Sequence, residues 1–198
     1  MRSGRDRLLA LLRPHVDDDR VLQAMHDVPR ELFVPKGLRG QAWENVPLPI
    51  GADQTISQPL VVARMCALLR LRGDERILDV GTGSGYHAAV LAQLGAHVWS
   101  VERHASLSAQ AAENLAAAGV ENVTLLVGDG ALGLPEQAPF DAVNVAAAAD
   151  TVPPALEGQL AVGGRLVVPV GHRLVVVERT PQGYERRALE RVRFVPLI

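Results

Sequence analysis

The chain has 198 residues, 48% hydrophobic and 21% charged, with 20 basic against 22 acidic side chains and a net charge of -2. That length suits one domain with a real core, and the balance excludes a disordered segment or a strongly charged nucleic-acid binder. Cys66 is the only cysteine, so an internal disulfide and a cysteine metal cluster are excluded, and the histidine spacing describes no metal site.

Taken from the start, Leu8 to Leu12 form a short apolar run closed by Arg13-Pro14, too short for a signal peptide or a membrane span. With the lone cysteine, this makes the cytoplasm the expected compartment. Val21, Leu22, Met25 and Val28 share one helical face, with Asp18 or Asp19 as cap and Pro29 as stop. From Arg30 to Ile56 the chain reads as mostly irregular, broken by Pro35, Gly37, Gly40, Pro47, Pro49 and Gly51. A connection of that length is expected to be functional or packed over something. A helix then carries Leu60, Val61, Met65, Leu68 and Leu69, with Ser57 as its N-cap and Pro59 in its first turn; Cys66 is a small core residue on it.

From residue 76 strands and helices alternate. Strands are expected near 76 to 80, 97 to 102, 122 to 127, 140 to 145 and 165 to 170, with helices near 85 to 94, 104 to 118 and 153 to 161. Arg173 to Thr180 and Arg191 to Ile198 read as two further strands around a turn at Pro181-Gln182-Gly183. The implied fold is α/β: a doubly wound, mostly parallel sheet with an antiparallel C-terminal edge and N-terminal helices. It is one domain, residues 1 to 56 forming a helical and loop cap on a Rossmann-like core from 57 to 198. The alanine run 146 to 149 reads as a tight backbone approach.

The most informative stretch is Ile77 to Tyr86, a buried strand breaking into a turn with glycines at 81, 83 and 85. A dinucleotide fingerprint would need its third glycine at position 86, where the chain has Tyr86. Asp79 at the strand end would repel a pyrophosphate and pair with an ammonium, a demand that S-adenosylmethionine meets. Glu102 ends the next strand about twenty residues past the turn, placed to accept both ribose hydroxyls. Asp129, within Gly128-Asp129-Gly130, is expected to accept from the adenine amino group while Gly130 offers its backbone. Thr82, Ser84 and Arg103 complete the expected cofactor contacts. All of these fall at carboxyl ends of successive strands, where open α/β sheets bind ligands. Among the histidines, only His87, just past the turn, is expected near the cofactor.

Beyond the turn, Val28 to Pro35, Leu48-Pro49-Ile50-Gly51, Gln54-Thr55-Ile56-Ser57-Gln58-Pro59, Ala138 to Ala142, Gly163 to Gly171 and Val192 to Leu197 carry a resemblance. The chain resembles the protein-L-isoaspartate O-methyltransferases, a class I S-adenosylmethionine-dependent family, over nearly its whole length. The resemblance implies methyl transfer to the free α-carboxylate of L-isoaspartyl residues in damaged proteins and peptides, a repair reaction, by a monomer with no nucleic-acid or membrane partner. It implies Ser57 as the active-site serine, and Thr55, Ile56 and Ser57 as the segment facing cofactor and substrate. A carboxylate is already ionised at neutral pH, which explains why no triad or metal motif is needed. Two departures bear on the peptide groove: only His172 and Arg173 separate Gly171 from Leu174, and the chain ends at Ile198 where many relatives continue. Two other readings share these residues, methylation of an aspartate in a specific peptide and non-catalytic sensing of S-adenosylmethionine; Ser57 beside three nucleoside signals weighs against the second.

Overall fold

The structure, a computed structural model, describes residues 3–197. It opens with α1 (Gly4–Leu12), which the sequence reading passes over because only Leu8 and Leu12 of it are buried. The signal for it is local: Ser3 and Asp6 form a reciprocal capping box, each side chain accepting from the other's backbone amide. In α2 (Asp19–Asp27) Asp18 is the cap, and Val21, Leu22, Met25 and, just past the helix, Val28 are buried as expected, with Ala24 beside them.

The stretch expected to be irregular contains two short 3-10 turns and an antiparallel hairpin of β1 (Leu48–Gly51) and β2 (Gln54–Ile56). Its turn residues Ala52 and Asp53 both have positive φ, 49° and 56°, the backbone that lets a two-residue turn join twisted strands. Ala-Asp is a poor announcement of that turn, which normally selects Asn-Gly, and the strands are too short to show a period.

The core follows the expected alternation: α3 (Pro59–Leu69), β3 (Arg76–Val80), α4 (Tyr86–Ala92), β4 (His97–Glu102), α5 (Ala105–Ala117), β5 (Val123–Val127), β6 (Phe140–Val145), α6 (Pro154–Gly158), β7 (Leu160–Val170), β8 (Arg173–Thr180) and β9 (Gly183–Arg191). The sheet order is β5-β4-β3-β6-β7-β8-β9, with β5 to β7 parallel and β8 and β9 antiparallel. The chain leaves β3 toward β4 on one side and returns to β6 on the other. The ends of these three strands thus frame the crevice where such sheets take ligands.

Two boundaries differ from expectation. The helix expected at 153 to 161 stops at Gly158, and the strand expected from 165 begins at Leu160, running through a bulge against β6 that contains Gly163, with φ of 86°. The last strand is Gly183–Arg191, ahead of the apolar run expected to form it. As the outer edge it is mostly exposed and rich in charge, the composition that blunts edge pairing, so it carries little apolar signal. The run from 192 onward instead crosses the sheet end, where Ala148 N donates to Val195 O and Leu197 N to Ala148 O, both at 2.7 Å. Ile198, the end of that run, lies outside the described residues.

The N-terminal helices share one apolar cluster with α3, α4 and the sheet face bearing Ile77, Val98 and Ala142. The opposite face, with Leu78, Val80 and Val143, packs on Phe140, Leu156 and Leu160. Phe140 is fully buried and meets Trp99 edge-on at 5.8 Å. Phe140→Ala is therefore expected to lower the unfolding free energy by about 3–5 kcal/mol, measured by urea denaturation.

Candidate active site

One cleft lies over the ends of β3, β4 and β6. Its floor is the turn from Val80 to Ser84 and the start of α4 at Tyr86 and His87; one wall is Val101 to His104 with Gly130. The opposite wall is Gln54 to Ser57, and Ala146, Ala147 and Val195 to Leu197 close the third side.

The turn is shaped by backbone. Gly81, Gly83 and Gly85 have φ of 93°, 54° and 89°, and their amides are spent on Val101 O, the Glu102 carboxylate and Thr82 O at 2.9, 2.8 and 2.8 Å. A Cβ on Gly83 would press Ile50 Cδ1 at 3.2 Å, and one on Gly85 would press Ala111 and Leu115 at 3.3 Å. Side chains are thus kept out both by strain and by space.

Of the expected residues, Thr55, Ile56, Ser57, Gly81, Thr82, Gly83, Ser84, Glu102, Arg103 and Gly130 all line this cleft, and so does His87. Glu102 is nearly buried and accepts from Gly83 N through Oε2 and from His104 N through Oε1, at 2.8 and 2.9 Å. A carboxylate has about four acceptor positions, so two remain for a pair of neighbouring hydroxyls. The same group holds the turn and faces the cleft.

Asp79 and Asp129 stand elsewhere. Asp129 is exposed, and its Oδ1 accepts from Ala131 N at 2.9 Å to cap a short 3-10 turn, leaving only Gly130 on the wall. Asp79 is fully buried beneath the turn, with Oδ2 accepting from Ser100 Oγ and Oδ1 from Asn144 Nδ2, each at 2.7 Å. These three residues occupy one row across β4, β3 and β6, since Asp79 pairs in register with both Ser100 and Asn144. Ser100 Oγ also meets Thr82 Oγ1 at 2.6 Å, while Asn144 Nδ2 lies 3.3 Å from His87 Nδ1 and His87 Nε2 lies 3.4 Å from Cys66 Sγ. Burial pushes the Asp79 carboxyl up to about 6 against the two donors that lower it, and burial pushes His87 down to about 3, so the imidazole is neutral. The Cys66 thiol is pushed up by burial, which leaves it protonated.

Ser57 is not the N-cap of α3. Gln58 holds that position without a side-chain bond, Pro59 fills the first helical position, and Asn45 Oδ1 accepts from Leu60 N at 3.0 Å from across the loop. The Ser57 hydroxyl is therefore free of hydrogen bonds among the described residues, half-buried, and on the cleft wall. Its carbonyl accepts from Arg30 Nη2 at 2.8 Å.

Several contributors escape sequence reasoning. Ala146 and Ala147 follow β6 as Gly81 follows β3, so the rule of successive strand ends, carried one strand further, finds them. Tyr86 shows in sequence only as the absence of a glycine, yet its buried ring lies on the cleft floor. Arg30 and Asn45 have no local signal, because their targets lie 27 and 15 residues away.

The cleft thus brings together a glycine turn, a carboxylate with acceptor positions to spare and apolar walls at Val80, Val101 and Leu197. Over residues 4–198 the chain matches the family model described as Protein-L-isoaspartate(D-aspartate) O-methyltransferase (PCMT). It is 53% identical over 189 residues to the protein-L-isoaspartate O-methyltransferase 2 of Marinobacter nauticus, covering 92% of this chain and 86% of that protein. It is also 53% identical over 200 residues to the protein-L-isoaspartate O-methyltransferase of Halorhodospira halophila, covering 98% and 91%. A solved protein-L-isoaspartate O-methyltransferase superposes with a TM-score of 0.87 at 28% identity over 97% of this chain, which spans 65% of that longer one. A Plasmodium falciparum structure described by the same enzyme name, in complex with S-adenosyl-L-homocysteine, superposes with a TM-score of 0.86 at 25% identity, covering 100% of this chain and 99% of that one.

Two outcomes test this geometry. Ser57→Ala is expected to change stability by less than about 0.5 kcal/mol, whereas Asn45→Ala costs about 1 kcal/mol, both read from thermal unfolding. Because the folded Asp79 carboxyl titrates at about 6, above its ordinary 3.8, its protonated form favours folding. That contribution is complete below about pH 4 and lost as pH rises through 6. Asp79→Asn is therefore expected to gain about 2 kcal/mol on the wild type between pH 4 and pH 7, in urea unfolding at each pH.

Proposed function

The chain belongs to the protein-L-isoaspartate(D-aspartate) O-methyltransferase family, and on that premise we propose which of its residues perform the reaction. The enzyme transfers a methyl group from S-adenosylmethionine to the carboxylate of L-isoaspartyl residues in damaged proteins and peptides. The observation that carries the assignment is the free Ser57 hydroxyl facing the glycine cradle across one cleft.

In this reading Gly81, Thr82, Gly83, Ser84 and Gly130 form the cradle for the adenosyl group, Glu102 accepts from its ribose hydroxyls, and Arg103 and His104 border the opening. No cluster of cationic side chains lines the turn, consistent with a nucleoside that carries no phosphate. Asp79 serves from below by fixing the turn through Ser100 and Thr82. Asp129 supports Gly130 by capping the turn that follows it.

S-adenosylmethionine supplies an electrophilic methyl on a sulfonium. The substrate oxygen bonds to that methyl as the carbon–sulfur bond breaks, the electron pair stays on sulfur, and no proton moves. Charge disappears in the process, because a carboxylate and a sulfonium become an ester and a thioether. The residues' task is therefore orientation and exclusion of water. Ser57 donates to one carboxylate oxygen, Thr55 and Ile56 of β2 hold the peptide side of the wall, and Val195 to Leu197 cover the far side.

We place the first 56 residues as a cap on the core from 57, within one monomeric domain. The support is the apolar cluster that joins α1 and α2 to the sheet. No helix among the described residues is long and apolar enough to cross a membrane. The cytoplasm is the proposed compartment on the strength of the single, buried cysteine. Scattered arginines and a net charge of -2 argue for protein substrates over nucleic acid.

The purified protein is to be incubated with labelled S-adenosylmethionine and matched L-isoaspartyl and L-aspartyl peptides. Label in the first alone is expected, and equal label in both would refute the assignment. In the same assay Ser57→Ala is expected to lose about 10- to 100-fold in kcat/KM for the peptide, the value of one hydrogen bond to a charged group. Glu102→Gln is expected to raise the KM for S-adenosylmethionine about tenfold by removing the charge from a bonded diol acceptor.

A further inference from the structure

Among the described residues Arg30 is the largest fully buried side chain, and it has no carboxylate partner there. Its Nε donates to Ala42 O at 2.9 Å and its Nη2 to Ser57 O at 2.8 Å, while Nη1 is buried without a hydrogen-bond partner among the described residues. The guanidinium lies over the face of Tyr86, 4.6 Å from the ring centre. Its neighbour Glu31 is engaged elsewhere, with Arg5 at 3.5 Å. A buried charge without a counter-ion is costly, and a fold retains one only when something offsets it. Burial lowers the guanidinium's affinity for its proton, yet arginine stays cationic in proteins.

Two of the residues this cation touches, Ser57 through its carbonyl and Tyr86 through its ring, line the cleft, although Arg30 itself does not. Resting on the assignment of Ser57 to the substrate side, we propose that the substrate's free carboxylate is the missing counter-charge of Arg30, acting across Ser57 and Tyr86. Arg30 is then a positioning residue that makes the cleft select an anion. The selection has a direction useful to turnover: the carboxylate is held, and the neutral methyl ester formed from it is not. In surroundings of low polarity a cation attracts an anion without touching it.

The test compares two peptides on the enzyme saturated with S-adenosylhomocysteine: an L-isoaspartyl peptide and the same peptide with that carboxylate converted to a carboxamide, nearly identical in shape and uncharged. The wild type is expected to prefer the acid, and equal affinity for both would overturn the proposal by itself. In Arg30→Met the acid is expected to bind about tenfold more weakly, a step of one decade, with the amide changed less than about twofold. Arg30→Lys, which keeps the charge, is expected to retain most of the preference, and it decides the matter if Arg30→Met does not fold. A purely structural Arg30 would weaken both peptides alike, or neither, and either result overturns the proposal. Ser57→Ala is measured alongside: wild-type affinity and turnover there would sink the site assignment, whereas an impaired Ser57→Ala beside an unselective effect of Arg30→Met sinks only the role given to Arg30.

Discussion

A single buried carboxylate ties together the three strands whose ends make the cleft. Asp79 accepts from Ser100 on β4 and from Asn144 on β6, in one row of the parallel sheet. Through Ser100 it reaches Thr82 in the glycine turn, and through Asn144 it reaches His87 on α4 and, beyond it, Cys66 on α3. In a medium of low polarity such a chain of bonds is stiff when satisfied, and its members stay in one arrangement. At the switch point of the sheet the polar row thus adds side-chain bonds to the backbone pairing of β4, β3 and β6, directly beneath the glycine turn.

The remaining walls depend on groups that act over the same short range. Glu102 receives one amide on each oxygen, so a carboxylate on the cleft wall also fixes the glycine turn. On the opposite side, Arg30 and Asn45 reach from the N-terminal segment to the junction of β2 and α3. Asn45 takes over the capping of α3, and Arg30 holds the carbonyl of Ser57, so the hydroxyl of that cleft-lining serine is not used in capping. The long N-terminal stretch is thus part of the site by packing, with α1 and α2 anchoring it through Leu8, Leu12, Val21 and Met25.

Most of the fold was legible because a parallel sheet buried on both faces writes itself as apolar runs: β3, β4 and β6 stand at their expected bounds. The places that escaped are those where burial leaves no pattern. The edge strand β9 faces water with its charges, the hairpin of β1 and β2 is too short for a period, and β7 runs through a bulge at Gly163 and so starts ahead of its apolar run. The site divides in the same way. Glycines and strand-end acids are local features, and Glu102, Gly83 and Gly130 were found from them. The fate of Asp79 and Asp129 was not local, because whether a carboxylate faces a ligand or a buried serine depends on neighbours far along the chain.

By itself the sequence determined the class of sheet, the family and the two segments, the glycine turn from Gly81 and Thr55-Ile56-Ser57, that line one cleft, since each rests on residues adjacent in the chain. Only the tertiary structure decided that Asp79 lies beneath the cradle as a structural acid, that Ser57 is freed from capping by Asn45, and that Arg30 is buried behind it without a counter-ion. The physical reason is that hydrogen bonding and desolvation are settled by what folding brings alongside a residue, over separations of 15 to 65 positions here, and no local pattern records that distance.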